Sequence, residues 1–310
     1  MTIDLRKMTS GKLKLGKRIL IYGPEKVGKT TFAASSGRTR FLDLERGSAD
    51  LDIKGRIMLD TWDEVVQWID AIDAGETGED YDSVVIDSAT KLESLLHKHL
   101  LKDCGGTIED FGGGYGRGAT ASVQQLRVLL EKLERLRAKG KNVIVTGHCV
   151  VKKFEDPSGP GWERYEIAAV PKYAGALKQW VDYTLFAQRE TTVAKIDGKK
   201  KGTATGAHFI YTRWSAAYDA GSRGELPLPE MIPLSWSDFM AAVNGTEVRA
   251  IEMKRELDEM LGEIADADYA NAAKGFLGAN PTKLTEAHNR VTVRLAEVRR
   301  ERTKEEKKAS

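Results

Sequence analysis

The segment GPEKVGKTT, residues 23–31, carries the residue types that bind phosphate groups. Gly23 and Gly28 let the backbone curl so that successive N–H groups point inward, and the start of the following helix adds the positive end of its dipole. Lys29 would neutralise the outer phosphates of a nucleotide, and the hydroxyl of Thr30 would coordinate Mg²⁺. A glycine-rich turn without a ligand is the alternative. The predicted ATP site consists of Gly23, Pro24, Glu25, Lys26, Val27, Gly28, Lys29, Thr30 and Thr31.

A second position supports a metal ion at this site. Asp87 ends the apolar run SVVID, which is where the carboxylate of a magnesium–nucleotide site is found. We therefore predict Thr30 and Asp87 as metal ligands, with ATP and Mg²⁺ as cofactors. Taken alone, Asp87 is also explained as the cap of the next helix.

Hydrolysis needs in addition a group that acts on the attacking water. Asp43 and Glu45 lie at the end of the run RFLDLE, and we expect the strand to end between them, which leaves Glu45 free to reach the γ-phosphate. His148 follows the run NVIVTG, where it would sense that phosphate. Lys29, Glu45 and His148 are the predicted catalytic residues. A salt bridge of Glu45 to a neighbouring arginine and a structural role for His148 are the alternatives.

The strands and helices that must position these residues are indicated by alternating patterns in the sequence. Short aliphatic runs alternate with helical segments between residues 19 and 188, which predicts a mostly parallel central sheet flanked by helices. Apolar residues recur every three to four positions in residues 121–140, which predicts a helix. Residues 104–120 and 150–172 are rich in glycine or polar residues and are predicted to be long loops. Asp197-Gly198 predicts the turn of a β-hairpin.

The composition changes towards Ala, Glu, Lys and Arg near residue 246. This change predicts a core domain over residues 1–245 and a small helical appendage over residues 246–310, with a break near Asn280-Pro281.

The whole composition limits the classes of function. With 310 residues, 41% of them hydrophobic, and a net charge of +2, the chain is typical of a soluble globular protein whose nucleic-acid surface, if it has one, is local. Cys104 and Cys149 lack the spacing of a metal or redox motif. The sequence lacks the apolar core of a signal peptide and any run of the ~18 apolar residues that a membrane helix needs. We therefore expect a cytoplasmic protein with no membrane partner.

The order of the motifs resembles that of the RecA-like recombinase ATPase core. The resemblance is carried by GPEKVGKTT, FLDLERG, SVVIDSATKLE, NVIVTGH and YAGALKQWVDYTLFAQR, and it covers residues 15–240. The chain looks most like the short Sak-type phage proteins, which promote single-strand annealing and are grouped with phage AAA-labelled nucleotide-binding proteins. The resemblance implies an α/β fold with a RecA-like P-loop NTPase core, encoded by a phage and present in the host cytoplasm.

Matched by position, the resemblance implies that Glu45 is the catalytic glutamate and that His148 stands at the place of the family's sensor glutamine. The histidine departs from the family pattern. A neutral imidazole can still donate one hydrogen bond to a phosphate. We therefore expect the coupling between ATP and DNA to differ from that of the family.

The resemblance also places the two predicted loops where RecA-like proteins hold single-stranded DNA. Cations that follow the phosphates and aromatic rings that stack on bases are the residue types that such binding needs. A lid or a loop that binds a protein partner is the alternative. The predicted DNA-binding residues are Tyr115, Arg117, Lys152, Lys153, Phe154, Trp162 and Arg164, with Tyr165 beside them.

RecA-like ATP sites are completed by a neighbouring subunit, so the resemblance implies a homo-oligomeric ring or filament with ATP at the interface. The predicted function is that of a Mg²⁺-dependent, DNA-stimulated ATPase of phage recombination that binds single-stranded DNA and anneals complementary strands, with a single-strand-binding protein as a further partner. Two alternatives remain open: a nucleotide-switched assembly or regulatory protein that binds a protein partner, and a P-loop enzyme that phosphorylates a small molecule. Candidates for a cation acting across the interface are Lys199, Lys200, Lys201, Arg213 and Arg223.

Overall fold

The computed structural model describes residues 11, 13–156, 159–196, 199–224, 228–264, 266–279 and 283–309. Within these ranges the chain forms two compact units. Their limits along the chain are Met1–Gly221 with Pro233–Trp236 for the first unit, and Ser222–Ile232 with Ser237–Ser310 for the second. The predicted boundary between residues 245 and 246 falls inside the second unit.

The first unit is built around a mixed sheet that is mostly parallel. Its strands follow the order β8-β7-β1-β5-β4-β2-β3, and β6 pairs with β5. The pairs β7–β8 and β5–β6 are antiparallel, whereas β1, β2, β3, β4, β5 and β7 pair in parallel. The predicted fold class is confirmed. The strands are β1 (Arg18–Gly23), β2 (Thr39–Asp43), β3 (Arg56–Met58), β4 (Ser83–Asp87), β5 (Asn142–Phe154), β6 (Trp162–Ile167), β7 (Tyr183–Ile196) and β8 (Lys199–Tyr211).

Helices flank this sheet. The predicted helix over residues 121–140 is confirmed as α4, but it begins earlier, at Arg117. Gly116, with a φ of 72°, adopts the left-handed conformation that directs the chain into this helix. A single 3-10 turn at Phe111–Gly113 precedes it. The helices are α1 (Lys29–Ala34), α2 (Trp62–Asp73), α3 (Ala89–Leu100), α4 (Arg117–Ala138) and α5 (Pro171–Trp180).

The central strands are buried on both faces. In β1 the side chains of Ile19 to Tyr22 are 0–1% exposed, and Val84 to Ile86 of β4 are fully buried. Continuous apolar runs of this kind are what a parallel sheet covered on both faces requires. The buried core therefore holds the central strands in place, and the loops leave the sheet at the carboxyl ends of these strands.

The prediction of a long loop over residues 150–172 is wrong for most of its length. β5 continues to Phe154, and β6 returns antiparallel to it, with Phe154 opposite Trp162 and Lys152 opposite Arg164. Valine, phenylalanine, tryptophan and tyrosine in these two runs favour paired strands, and cross-strand contacts between them stabilise the pairing. The intervening lysines and glutamates concealed this pattern in each run taken alone.

The predicted hairpin around residues 191–214 is confirmed as the antiparallel pair β7–β8. Its predicted turn at Asp197-Gly198 lies outside the described residues. Two short strands, β9 (Gly221–Ser222) and β10 (Met231–Pro233), follow along the chain.

The second unit is helical over most of its described length. It contains most of α6 (Trp236–Asn244) and all of α7 (Thr246–Ile264), α8 (Ala267–Ala279) and α9 (Leu284–Ala309). Leu257 and Leu261 of α7 pack with Val291 and Leu295 of α9 in a small separate core. The predicted break near Asn280-Pro281 lies outside the described residues. No helix in the described ranges has the length and apolar character needed to cross a bilayer.

Candidate functional site

The carboxyl ends of β1, β2 and β4 and the middle of β5 bring the candidate residues together. In the register of the sheet, Gly23 at the end of β1 lies beside His148 of β5, and Asp43 at the end of β2 lies beside Asp87 of β4. In a parallel sheet these ends share one edge, which is where α/β proteins bind ligands. The predicted phosphate-binding segment leaves β1 at the same edge.

The loop between β1 and α1 is curled and closely packed. A Cβ atom on Gly23 would stand 2.1 Å from the carbonyl oxygen of Ala187 in β7, so only glycine fits there. Gly28, with a φ of 111°, and Lys26, with a φ of 57°, are both left-handed. Nη2 of Arg189 donates a 2.7 Å hydrogen bond to the carbonyl oxygen of Lys26. This bond ties the tip of the loop to β7.

The ammonium group of Lys29 lies inside this curl. Its Nζ donates hydrogen bonds to the carbonyl oxygens of Gly23, at 3.0 Å, and Pro24, at 2.7 Å, and the residue is only 7% exposed. Burial lowers the pKa of Lys29, although the charge of Asp87 opposes this shift. Because little water screens it, the ammonium group would attract a phosphate strongly.

Thr30 and Asp87, the predicted metal ligands, are in direct contact. The Thr30 hydroxyl donates a 2.9 Å hydrogen bond to Oδ2 of Asp87, and the Thr146 hydroxyl donates one to Oδ1. Burial raises the pKa of Asp87 against the lowering effect of these two hydrogen bonds. A nearby divalent cation would favour the ionised carboxylate and offset the cost of its burial.

Glu45 and His148 form the second contact at this edge. Nε2 of His148 lies 3.0 and 2.9 Å from the two carboxylate oxygens of Glu45, and the Ser88 hydroxyl donates to Oε1. Burial disfavours the charge on Glu45, but the hydrogen bonds from His148 and Ser88 outweigh it and lower the pKa of Glu45. The hydrogen bond to Glu45 raises the pKa of His148 against the effect of burial. Glu45 is thus held as a carboxylate, the form that accepts a proton from water.

Two buried polar atoms at this edge lack a hydrogen-bond partner among the described residues. They are Nδ1 of His148 and Oδ1 of Asp43. Buried polar atoms are normally satisfied by protein, water or ligand, so both atoms indicate a polar species at this edge. Arg46, the arginine next to Glu45, pairs with Asp60 at 2.5 Å.

The donor set fits a magnesium–nucleotide complex. Lys29 and the curled backbone suit phosphate oxygens, and Thr30 with Asp87 provides the hard oxygen ligands that Mg²⁺ prefers. Within the described part of the chain, no group of three or more His, Cys, Asp and Glu side chains is arranged to hold a metal ion. Mg²⁺ at this edge would therefore depend on phosphate oxygens to complete its coordination.

A family model described as an AAA domain matches residues 15–224, which is more than half of the chain. The chain belongs to the AAA domain family. The match contains every contact described above at the edge formed by the carboxyl ends of β1, β2 and β4 and the middle of β5, which we call the nucleotide edge. It places the chain among P-loop ATPase-type domains. No curated protein matches the chain.

Three further residues contact the candidate nucleotide site of this AAA domain. Ser88 contacts Glu45, Thr146 contacts Asp87, and Arg189 contacts the loop between β1 and α1. Ser88 follows Asp87, and Thr146 stands two residues before His148. The parallel register of β4 and β5, in which Ile86 lies opposite Val145, would have indicated both. Arg189 lies far along the chain, and no local signal in the sequence points to it.

The first group of predicted DNA-binding residues lies just before and at the start of α4. Tyr115 is 99% exposed and has a φ of 54°, so its ring faces solvent at a tight turn. Nη1 of Arg117 donates a 2.5 Å hydrogen bond to the carbonyl oxygen of Gly112, which stabilises the same turn.

The second group of predicted DNA-binding residues lies on the β5–β6 hairpin of the AAA domain, and its members differ in how far their side chains are exposed. Lys152 and Lys153 are exposed, whereas Arg164 is 5% exposed. The rings of Phe154 and Trp162 are 4.9 Å apart, and Nε1 of Trp162 donates a 2.7 Å hydrogen bond to the carbonyl oxygen of Ala216. The hairpin thus presents two lysines beside a pre-ordered aromatic pair.

Proposed function

We propose that this AAA domain is a Mg²⁺-dependent ATPase of phage recombination that binds single-stranded DNA and promotes annealing of complementary strands. The roles in recombination and DNA annealing extend the resemblance to Sak-type proteins, whereas the family match gives the AAA domain alone. It is supported by the chemistry of the nucleotide edge and of the β5–β6 hairpin.

The continuity of β5 is the observation that carries the proposal. This strand runs from Asn142 to Phe154 without interruption, with His148 beside Glu45 at the nucleotide edge. Four positions further along the same strand is Lys152, and the strand ends at the aromatic pair with Trp162. A displacement of His148 would therefore be passed along one strand to the hairpin. A single rigid element is the simplest physical link between two sites.

At the nucleotide edge each side chain has a defined task. Lys29 and the backbone N–H groups of the loop bind the phosphates, and Thr30 with Asp87 orients the cation, which when bound neutralises charge on the phosphate oxygens. Glu45 accepts a proton from the attacking water, and Ser88 and His148 hold its carboxylate in place. Once the γ-phosphate leaves, the hydrogen bond between His148 and Glu45 is the contact that senses the change.

On the hairpin, Lys152 and Lys153 would follow the phosphates, and the pair Phe154 and Trp162 would support stacked bases. Both interactions are indifferent to base sequence, as annealing of any complementary strands requires. The proposed protein acts as a homo-oligomeric ring or filament with ATP at the subunit interface, and a single-strand-binding protein delivers the DNA.

The test measures ATP hydrolysis with and without single-stranded oligonucleotide, and oligonucleotide binding at rising salt concentration. We expect stimulation by DNA and a log–log salt slope that becomes more negative by about 0.7 for each phosphate contact. Double-stranded DNA of equal charge is the control for non-specific attraction. Hydrolysis unaffected by DNA, together with salt-insensitive binding of a protein, would instead favour the nucleotide-switched assembly protein.

A further inference from the structure

A groove of about 210 Å³ lies between the β5–β6 hairpin and α5. Four cations and one carboxylate line it: Lys152, Lys153, Arg164, Lys178 and Glu166. The groove is smaller than the ~300–1,000 Å³ typical of pockets for whole small-molecule ligands. Its size and charge suit a single anionic group.

Arg164 is a buried cation with an unused hydrogen-bond donor. Its side chain is 4% exposed, and neither Nε nor Nη2 makes a hydrogen bond with the described residues, although Nε lies within ion-pair distance of Glu166. The guanidinium group lies 5.2 Å from the ring centroid of Phe154 and 5.9 Å from that of Trp214. Such burial of a cation is costly unless further acceptors complete its hydrogen bonds. An anion in the groove would offset this charge.

The carboxylate in the groove is already engaged. Oε1 of Glu166 lies 2.9 Å from Nε of Arg164, and Oε2 lies 3.4 Å from Nζ of Lys178. Lys178 also donates a 2.7 Å hydrogen bond to Asp219. Glu166 and Lys178 thus hold Arg164 in position. Lys153 is paired with Glu155 at 3.1 Å, so the cations that remain for a ligand are Lys152 and the guanidinium group of Arg164.

The N-terminus of α5 adds to the positive potential of the groove. This ten-residue helix begins at Pro171, and its N-cap residue Val170 provides no side-chain cap. The backbone N–H of Val170 donates to the carboxyl group of Glu93, whose charge is disfavoured by burial. Ala169 and Pro171 both line the groove, and Nζ of Lys152 lies 3.3 Å from the carbonyl oxygen of Ala169. A helix N-terminus attracts anions, and phosphate most often.

We propose that this groove binds one phosphodiester group of the single strand and so fixes the strand's position on the hairpin. The inference rests on the proposed function, because the ligand is the DNA backbone. Phosphate is favoured over carboxylate because a guanidinium group, an ammonium group and a helix N-terminus lie around the site. The two non-bridging oxygens of a phosphodiester share one negative charge and point in different directions, so they can contact more than one of these groups. The aromatic pair Phe154 and Trp162 then lies where the neighbouring base or sugar would follow.

The decisive variant fills the groove without removing a charge. Gly175 of α5 lines the groove, and a Cβ atom added there meets nothing within 4 Å, so alanine fits at this position without a clash. In the series Gly175→Ala and Gly175→Leu we expect oligonucleotide affinity to fall as the side chain grows, by about 10- to 100-fold for leucine. The salt slope should lose about 0.7, the contribution of one phosphate.

Two further variants test the chemistry of the groove. Arg164→Lys keeps the charge but loses the planar fork, and it should weaken oligonucleotide binding in the same direction. Lys98→Gln removes an exposed cation of α3 and is the charge control, with affinity unchanged. Circular dichroism and thermal unfolding verify that each variant is folded.

The outcomes separate this inference from the proposed function. If the wild-type protein binds oligonucleotide and Gly175→Leu binds it equally well with an unchanged salt slope, the groove is not a phosphate site and only the inference is overturned. If inorganic phosphate at matched ionic strength binds the wild type and not Gly175→Leu, while DNA affinity is the same for both, the groove takes free phosphate and the inference is again overturned. If the wild type binds no oligonucleotide at all, the proposed function is overturned together with it.

Discussion

The nucleotide edge and the β5–β6 hairpin arrange their charges in opposite ways. At the nucleotide edge, Lys29 and Asp87 are buried and bonded to their own surroundings, with few exposed atoms. On the hairpin, Lys153 pairs with Glu155 at 3.1 Å, and both side chains are mostly exposed. Buried, hydrogen-bonded charges hold one geometry, whereas exposed ion pairs contribute little and exchange partners readily. The first region suits chemistry that needs fixed distances, and the second suits a ligand of variable sequence.

Lys29→Ala should have the largest effect, because it removes the only cation observed inside the curl of the loop in the described structure. We expect ATP hydrolysis to fall to background and nucleotide affinity to fall with it. Binding of a fluorescent ATP analogue and release of phosphate measure the two effects. Lys98→Ala on α3 is the matched control and should behave as wild type. Hydrolysis that survives in Lys29→Ala would show that the loop does not bind the phosphates.

Glu45→Gln should separate binding from chemistry at the same edge. Glutamine retains a hydrogen bond with His148 but cannot accept the proton of the attacking water, so we expect ATP to bind normally and to turn over about 10²- to 10⁴-fold more slowly. Asp60→Asn, which removes the partner of Arg46, is the control for loss of an acidic group nearby. A normal single-turnover rate in Glu45→Gln would mean that another group activates the water.

Trp162→Ala tests the hairpin side of the comparison. A stacked base contributes about 1 to 3 kcal/mol, so we expect the Kd for single-stranded oligonucleotide to rise about 5- to 150-fold. Trp68→Ala removes a tryptophan on α2 that is 37% exposed, and it serves as the control. Trp162→Phe keeps a ring against Phe154 and should recover part of the affinity. Unchanged binding in Trp162→Ala would remove the hairpin from the path of the DNA.

The two regions also differ in how far the sequence predicts them. The phosphate-binding loop, the strand that ends before Glu45 and the position of Asp87 all follow from local spacing, because each depends on residues adjacent in the chain. The sequence predicts a loop where the β5–β6 hairpin lies, because the stability of the hairpin comes from pairs such as Phe154 and Trp162, which only the folded chain brings together. The role of Arg189 cannot be predicted for the same reason: its contact with the loop between β1 and α1 spans 163 residues of sequence.

Glu93 lies between the nucleotide edge and the β5–β6 hairpin, and its substitution should give the smallest of the effects predicted here, a change in stability with pH. It belongs to α3, which follows Asp87, and its carboxylate accepts a hydrogen bond from the backbone N–H of Val170, at the start of α5. Burial raises the pKa of Glu93 to about 7, although the hydrogen bond from Val170 and the charge of Lys152 oppose the shift. Nε2 of His97 lies 4.0 Å from Oε1 of Glu93, and burial lowers the pKa of His97, although the charge of Glu109 opposes this shift.

The sign of the pH effect follows from this raised pKa. In the unfolded chain the pKa of a glutamate is about 4.3, so between about pH 4.3 and pH 7 the native state keeps a proton that the unfolded state has lost. The free energy of unfolding therefore falls as the pH rises through this range, and it stays lower above pH 7. Glu93→Gln cannot ionise, but its side-chain oxygen still accepts the hydrogen bond from Val170. We expect the variant to match wild type near pH 4.5 and to be more stable by about 1 to 3 kcal/mol at pH 8.

Urea unfolding at pH 4.5 and pH 8 measures this difference, with Glu131→Gln, an exposed position on α4, as the control that should show none. A variant less stable than wild type at pH 8 would mean that the ionised carboxylate itself holds α5 in place. Glu93 would then resemble Glu45, a carboxylate stabilised by its partners, rather than differ from it. The comparison therefore depends on one distinction: Glu45 has a histidine, a hydroxyl group and a nearby lysine to stabilise its charge, whereas Glu93 has a backbone N–H and the weaker influence of Lys152.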